Sequence, residues 1–141
     1  MKKKNTDIAI VGAGGMGALF GSILSENGVD VVLIDPNREH VESIESNGLK
    51  IEGFGGNRTV RIPATFDASE LESANLLFFQ CKAQGTRDAS RSIRHLLHEN
   101  SVCISFQNGL GNEEVIAEEV GADKVLGGLT AMAGLLLGPG R

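Results

Sequence analysis

Short apolar runs alternate with stretches of helical periodicity along this chain. Residues 7–11 form an apolar run closed by glycine. Residues 18–27 predict a helix with Leu19, Ile23 and Leu24 on one face and Gly28 as its stop. Residues 29–34 are nearly continuous in Val, Ile and Leu, the pattern of a strand buried on both faces of a parallel sheet. Residues 36–47 predict a second helix with Val41 and Ile44 inward. Asp35 suits its cap, Pro36 its first turn and Gly48 its end.

The pattern then changes. Residues 49–64 alternate around a Gly-Phe-Gly-Gly-Asn cluster, as expected of a short hairpin. A helical turn is expected at 69–73 and a strand at 75–80. A helix is expected over 84–98 with Ile93, Leu96 and Leu97 inward, then a strand at 102–106. A helix at 112–120, with Asn112 as its cap, and an extended segment at 124–133 complete the pattern. Strands alternating with helices imply right-handed crossovers. The expected fold is α/β: a Rossmann-type doubly wound, mostly parallel sheet with helices on both faces. Residues 138–141, Gly-Pro-Gly-Arg, are a turn signal that normally leads to another element, so a larger architecture is expected around this domain.

Composition narrows the function. The 141 residues suffice for one domain with its own core. Nineteen glycines are about twice the usual share, and they sit singly or in pairs between apolar runs. A net charge of −5 and a pI near 5.2 argue against nucleic-acid binding. The one basic run, Lys2-Lys3-Lys4, reads as a solvated tail. No apolar run approaches a membrane span and no signal peptide is evident, so a cytoplasmic location is expected. Cys81 and Cys103 lie in apolar runs and read as reduced thiols.

The first strand runs into Gly12-Ala13-Gly14-Gly15-Met16-Gly17 and then a helix, the context a dinucleotide fingerprint requires. Gly12 permits the turn, Gly14 lets a pyrophosphate approach the backbone, and Gly17 lets helix and strand pack closely. Asp35, at the end of the second strand, suits an adenosine ribose and hence NAD(H). Arg38, three residues on, suits the 2′-phosphate of NADP(H). Lys82 and Asn108 follow the third and fourth strands of the sheet, at the edge where open α/β sheets bind ligands. His95 and His98 lie three apart on a helix without an evident third metal ligand. Arg87, Arg91 and Arg94 read as a solvated stripe.

Several stretches together resemble the N-terminal domain of the ketopantoate reductase (2-dehydropantoate 2-reductase) family. They are Ile8-Ala9-Ile10-Val11 with the glycine motif, Val32-Leu33-Ile34-Asp35, Cys81-Lys82-Ala83, Gln107-Asn108-Gly109-Leu110-Gly111-Asn112-Glu113, Val125-Leu126-Gly127-Gly128-Leu129-Thr130 and Gly138-Pro139-Gly140. The Gln-Asn-Gly-Leu-Gly-Asn-Glu segment is the most specific of these. The resemblance implies reduction of 2-dehydropantoate to pantoate with NADP(H), on the route to pantothenate and coenzyme A. It also implies that residues 1–141 are the dinucleotide-binding domain, without the family's helical C-terminal domain and its proton-donating lysine. Gly12, Ala13, Gly14, Gly15, Met16 and Gly17 would hold the pyrophosphate. Lys82 and Asn108 would face nicotinamide ribose and substrate, and Ala133 would lie near the nicotinamide.

Gln84 stands where the family often has an aromatic, and Ala131 and Met132 follow Thr130 where it has a histidine. Another 2-keto acid as substrate, or a non-catalytic dinucleotide sensor, therefore stays an alternative. The expected partner is a small keto acid. Self-association, or pairing with a separate C-terminal domain, is left open.

Overall fold

The computed structural model describes residues 3–53 and 55–141. Lys2 of the basic run and Phe54 of the hairpin's turn cluster lie outside them. β1 (Lys4–Val11), α1 (Gly15–Glu26), β2 (Val31–Ile34) and α2 (Arg38–Asn47) come first. They are followed by β3 (Leu49–Ile51), β4 (Arg58–Val60), β5 (Ala64–Thr65) and β6 (Leu71–Phe79). The rest is α3 (Thr86–Ile93), β7 (Val102–Ser105), α4 (Asn112–Val120) and β8 (Val125–Gly127). The main sheet has the order β5-β2-β1-β6-β7-β8. Its neighbours pair in parallel throughout, with Ile8 opposite both Val31 and Leu76. β3 and β4 form the expected antiparallel hairpin, apart from the main sheet.

The two faces of the sheet explain the continuous apolar runs. In β1, Ala9 and Val11 pack with Leu77, Phe79, Ile93 and Ile116 on the side of α3 and α4. Ile8 and Ile10 pack with Val31, Leu33, Ala18 and Ile44 on the side of α1 and α2. Successive side chains of a strand point to opposite faces, so a strand covered on both sides is apolar at every position.

Several expected elements differ in detail. β1 begins at Lys4, whose Nζ pairs with Asp30 at 2.8 Å, so Lys4 belongs to the sheet and not to a tail. α1 turns its small residues Gly17, Ala18, Gly21 and Ser22 inward, whereas Leu19 is half-buried and Ile23 exposed. Small residues let the helix lie close to the sheet, and that proximity overrides hydrophobic periodicity. Asn37, not Asp35, caps α2, accepting from the His40 N–H at 3.1 Å. The 84–98 helix is α3 flanked by 3₁₀ turns at Ala83–Gly85 and Arg94–Leu96. Gly111, with φ of 87°, precedes α4, and Asn112 is its first helical residue. Among the described residues, no helix is long and apolar enough to cross a membrane.

Candidate functional site

The chain leaves β1 for β2 and β5 on one side, then crosses back to β6 on the other. This reversal opens a crevice at the carboxyl ends of the strands. It encloses about 770 Å³ and is lined by Gly12, Gly14, Asp35, Phe66, Gln80 and Lys82 among others. Gly12 and Gly14 bring the glycine motif into its wall. Gly12 has φ of +102°, and a Cβ there would stand 2.5 Å from the Cys81 nitrogen. A Cβ on Gly17 would collide with the Gly12 carbonyl, so α1 starts hard against the strand it follows. Gly14 faces open space: among the described residues, its own chain neighbours aside, no atom lies within 4 Å of where a Cβ would stand. The first helical bond of α1 runs from the Ala18 N–H to the Gly14 carbonyl at 2.8 Å. The N–H groups of Gly15, Met16 and Gly17 therefore lack intrahelical partners, and they lie at the positive end of the helix dipole.

The Ala13 peptide is held from both sides. Its N–H donates to Asp35 Oδ2 at 2.8 Å, and its carbonyl accepts from His40 Nε2 at 2.7 Å. Asp35 Oδ1 also accepts from the Asn37 N–H at 2.9 Å. The Asp35 carboxylate thus ties the glycine loop to the start of α2. His40 is buried, and its Nδ1 accepts from the Gly140 N–H at 2.9 Å. That bond leaves the ring proton on Nε2.

The other expected residues are spread along the same edge. Arg38 is exposed, with its guanidinium carbon 3.9 Å from the centroid of the Phe66 ring, on the rim of the crevice. Lys82 is exposed in the turn after β6 and lines the crevice. Asn108 is exposed in the loop after β7, outside the crevice lining, and its carbonyl accepts from Asn112 Nδ2 at 2.9 Å. Ala133 is exposed beside Gly134, whose backbone lies directly against Gly15, and Leu136 reaches the crevice. Gly15 and Met16 are absent from the crevice lining.

Three features were missed in the sequence. His40 lies one helical turn before Ile44, so its burial was readable from spacing. Phe66 carries no motif. Gln80 Nε2 is buried without a hydrogen-bond partner among the described residues, at the crevice wall. An open cradle at Gly14, unpartnered helix N–H groups and an orphaned amide are what a dinucleotide would complete, so the residues fit such a ligand.

The remaining candidates are structural. Arg87, Arg91 and Arg94 stay 42%, 58% and 59% exposed, as a solvated stripe should, yet all three also reach Glu119 of α4, whose side chain is only 9% exposed. Hydrogen bonds from Arg91 and Arg87 hold the Glu119 carboxyl below its ordinary range. His95 Nε2 bonds the Ala68 carbonyl and His98 Nε2 bonds Asn75 Oδ1, each at 3.0 Å. Both cysteines are free. Burial raises the Cys81 thiol and pushes Cys103 up to about 11.

Comparison with known proteins agrees with this geometry. Residues 8–141 match the family described as ketopantoate reductase PanE/ApbA. The chain belongs to that family. The 2-dehydropantoate 2-reductase of Pyrococcus abyssi is 40% identical over 135 residues, covering 94% of this chain and 42% of that relative. The enzyme of the same name from Streptococcus pyogenes serotype M1 is 31% identical, covering 95% and 43%. Among solved structures, D-mandelate dehydrogenase with NADH and anilino(oxo)acetate superposes with a TM-score of 0.89 at 32% identity, covering 95% of this chain and 44% of that one. A PanE/ApbA family ketopantoate reductase from Ralstonia eutropha JMP134 gives 0.88 at 30% identity, with the same coverage. The chain thus spans less than half the length of these relatives.

Proposed function

We propose that this chain is the dinucleotide-binding half of an NADP(H)-dependent reductase that converts 2-dehydropantoate to pantoate. The single observation that carries this reading is the open cradle at Gly14, between the unpartnered N–H groups of α1 and the crevice. Gly12 through Gly17 would hold the pyrophosphate there. Both oxygens of Asp35 already accept backbone N–H groups. Asp35 then serves first to fix the loop. Arg38, stacked on Phe66 at the rim, is the group suited to a 2′-phosphate, which favours NADP(H) over NAD(H).

A dinucleotide held there would supply the hydride that the ketone carbon needs. Lys82 and Asn108 face the nicotinamide ribose as well as the substrate: Lys82 offers a positive charge near the substrate carboxylate or the oxygen that gains charge, and the Asn108 amide orients the keto acid. Ala133 lies towards the nicotinamide end. The proton donor belongs to the length of the relatives that this chain does not span, in a C-terminal helical domain. A cytoplasmic location fits a biosynthetic role of this kind.

A second reading keeps the chemistry and changes the substrate. The likeness to D-mandelate dehydrogenase supports an aryl 2-keto acid. Fluorescence titration with NADPH and NADH, followed by each keto acid, separates the readings. Saturable NADPH binding that Gly14→Val abolishes is expected, with 2-dehydropantoate binding on top of it. No NADPH binding would overturn the assignment. Preference for benzoylformate would shift it to the second reading, and binding of neither acid would favour a sensor.

A further inference from the structure

Lys82 and Asn108 sit on separate connections, and one side chain joins them. Gln107 Nε2 donates to the Cys81 carbonyl and to Thr86 Oγ1, both at 2.8 Å, and lies 3.5 Å from Cys81 Sγ. Its Oε1 accepts from the Ser105 hydroxyl at 3.2 Å. A carbonyl only accepts, so the Cys81 oxygen dictates which end of the amide is nitrogen. Both amide hydrogens are used, and each goes to a different end of the turn that carries Lys82.

The base of the turn is held by backbone bonds, from the Gln80 N–H to the Val11 carbonyl at 2.9 Å and from the Phe106 N–H to the Phe79 carbonyl at 3.1 Å, and Gln107 grips the turn above them. The Gly85 N–H donates to the Lys82 carbonyl at 2.9 Å, which closes the turn on itself without tying it to β7. Lys82 caps the Ala83–Gly85 turn from an extended backbone, and its side chain takes no part in the cap. On the other side, Asn108 follows Gln107 directly, and Asn112 holds its carbonyl. The Gln107 amide therefore bridges the two connections beyond the strand ends that the Phe106–Phe79 backbone bond already joins.

We propose that Gln107 is a positioning residue that sets the Lys82 turn and the Asn108 loop against each other, so that both side chains address one dinucleotide and one keto acid. This rests on the reading of Lys82 and Asn108 given above. A residue needed only for packing would stabilise the fold without influencing what Lys82 contributes to binding.

The test is a double-mutant cycle on NADPH affinity, using the wild type, Lys82→Met, Gln107→Leu and the pair. Lys82→Met is expected to weaken binding about tenfold in the wild-type background, the size of one charge-assisted hydrogen bond. In the Gln107→Leu background the same change is expected to cost less than about twofold, because the ammonium is no longer aimed. Losses that simply multiply overturn the proposal, whatever happens to the melting temperature. Gln107→Glu, which keeps the shape but gives the Cys81 carbonyl no donor, runs the same cycle should the leucine variant fail to fold. Alkylation of Cys81, followed by peptide mass, needs no bound dinucleotide. Its rate is expected to rise severalfold when the Gln107 tether is cut, and an unchanged rate overturns the tether. A wild-type chain that binds no NADPH would sink the cofactor reading instead, and the Cys81 rate alone would then decide the role of Gln107.

Discussion

The Nε2–H of His40 donates to the Ala13 carbonyl at 2.7 Å, so a side chain of α2 carries the middle of the glycine loop. The ring's other nitrogen is occupied by the Gly140 N–H. His40→Leu would strand a buried carbonyl and a buried N–H together. An unsatisfied buried group costs about 1–3 kcal/mol, so a clear fall in the denaturation midpoint is expected, with weaker NADPH binding. A nitrogen-15 spectrum of the wild-type imidazole should show Nε2 protonated and Nδ1 bare. The opposite tautomer would contradict this geometry.

Arg38 lies over Phe66 at the edge of the crevice. Arg38→Ala should weaken NADPH about tenfold or more and leave NADH almost unaffected, since only the former presents a 2′-phosphate. Paired titrations at one salt concentration decide it. Equal losses for both cofactors would remove Arg38 from cofactor discrimination.

Glu119 makes the α3–α4 contact sensitive to acid. Its folded carboxyl is held below the ordinary range by Arg91 and Arg87. The stabilisation is therefore fully present above the unfolded value of about 4.3 and fades as pH falls through the lower folded value. Glu119→Gln should be less stable at neutral pH, and its midpoint should fall less on acidification. Parallel acid-dependence curves for the two proteins would show that the cluster contributes nothing.

Gly17 tests the closeness of α1 to β1. A methyl there would meet the Gly12 carbonyl and stand 3.2 Å from Ile10 Cγ2. Gly17→Ala should cost about 1–3 kcal/mol through overpacking, outweighing the gain in helix propensity. Calorimetry would register this as a drop in Tm of several degrees. An unchanged Tm would mean that the helix moves away freely.

The alternation of buried strands with helices and the glycine motif were legible because both rest on local rules. A doubly buried strand is apolar throughout, and glycine is needed where backbones nearly touch. The inward face of α1 was not legible, because Gly17, Ala18, Gly21 and Ser22 bury little apolar area themselves and matter for the approach they permit. The ion pairing of the solvated arginine stripe was not legible for a related reason. Its partner Glu119 lies on another helix, and no spacing within α3 announces it. Asp35 was identified as a site residue, but that its oxygens would be engaged by Ala13 and Asn37 follows only from the fold. Gln107 stood inside a segment already recognised, and only the folded chain reveals that it reaches Cys81.

The central place of β1 has a kinetic side. One of its edges is filled by β2, a short way along the chain. The other waits for β6, as the contact between Asn5 and Ser73, 68 positions apart, makes plain. A chain emerging from the ribosome will have completed α1, β2 and α2 while that edge of β1 is still bare. Long-range parallel pairing is slow, and an open strand edge invites another chain. The exposure of this central strand should therefore end when β6 docks, and variants that weaken the pairing of Ile8 with Leu76 should lower soluble yield more than they lower equilibrium stability.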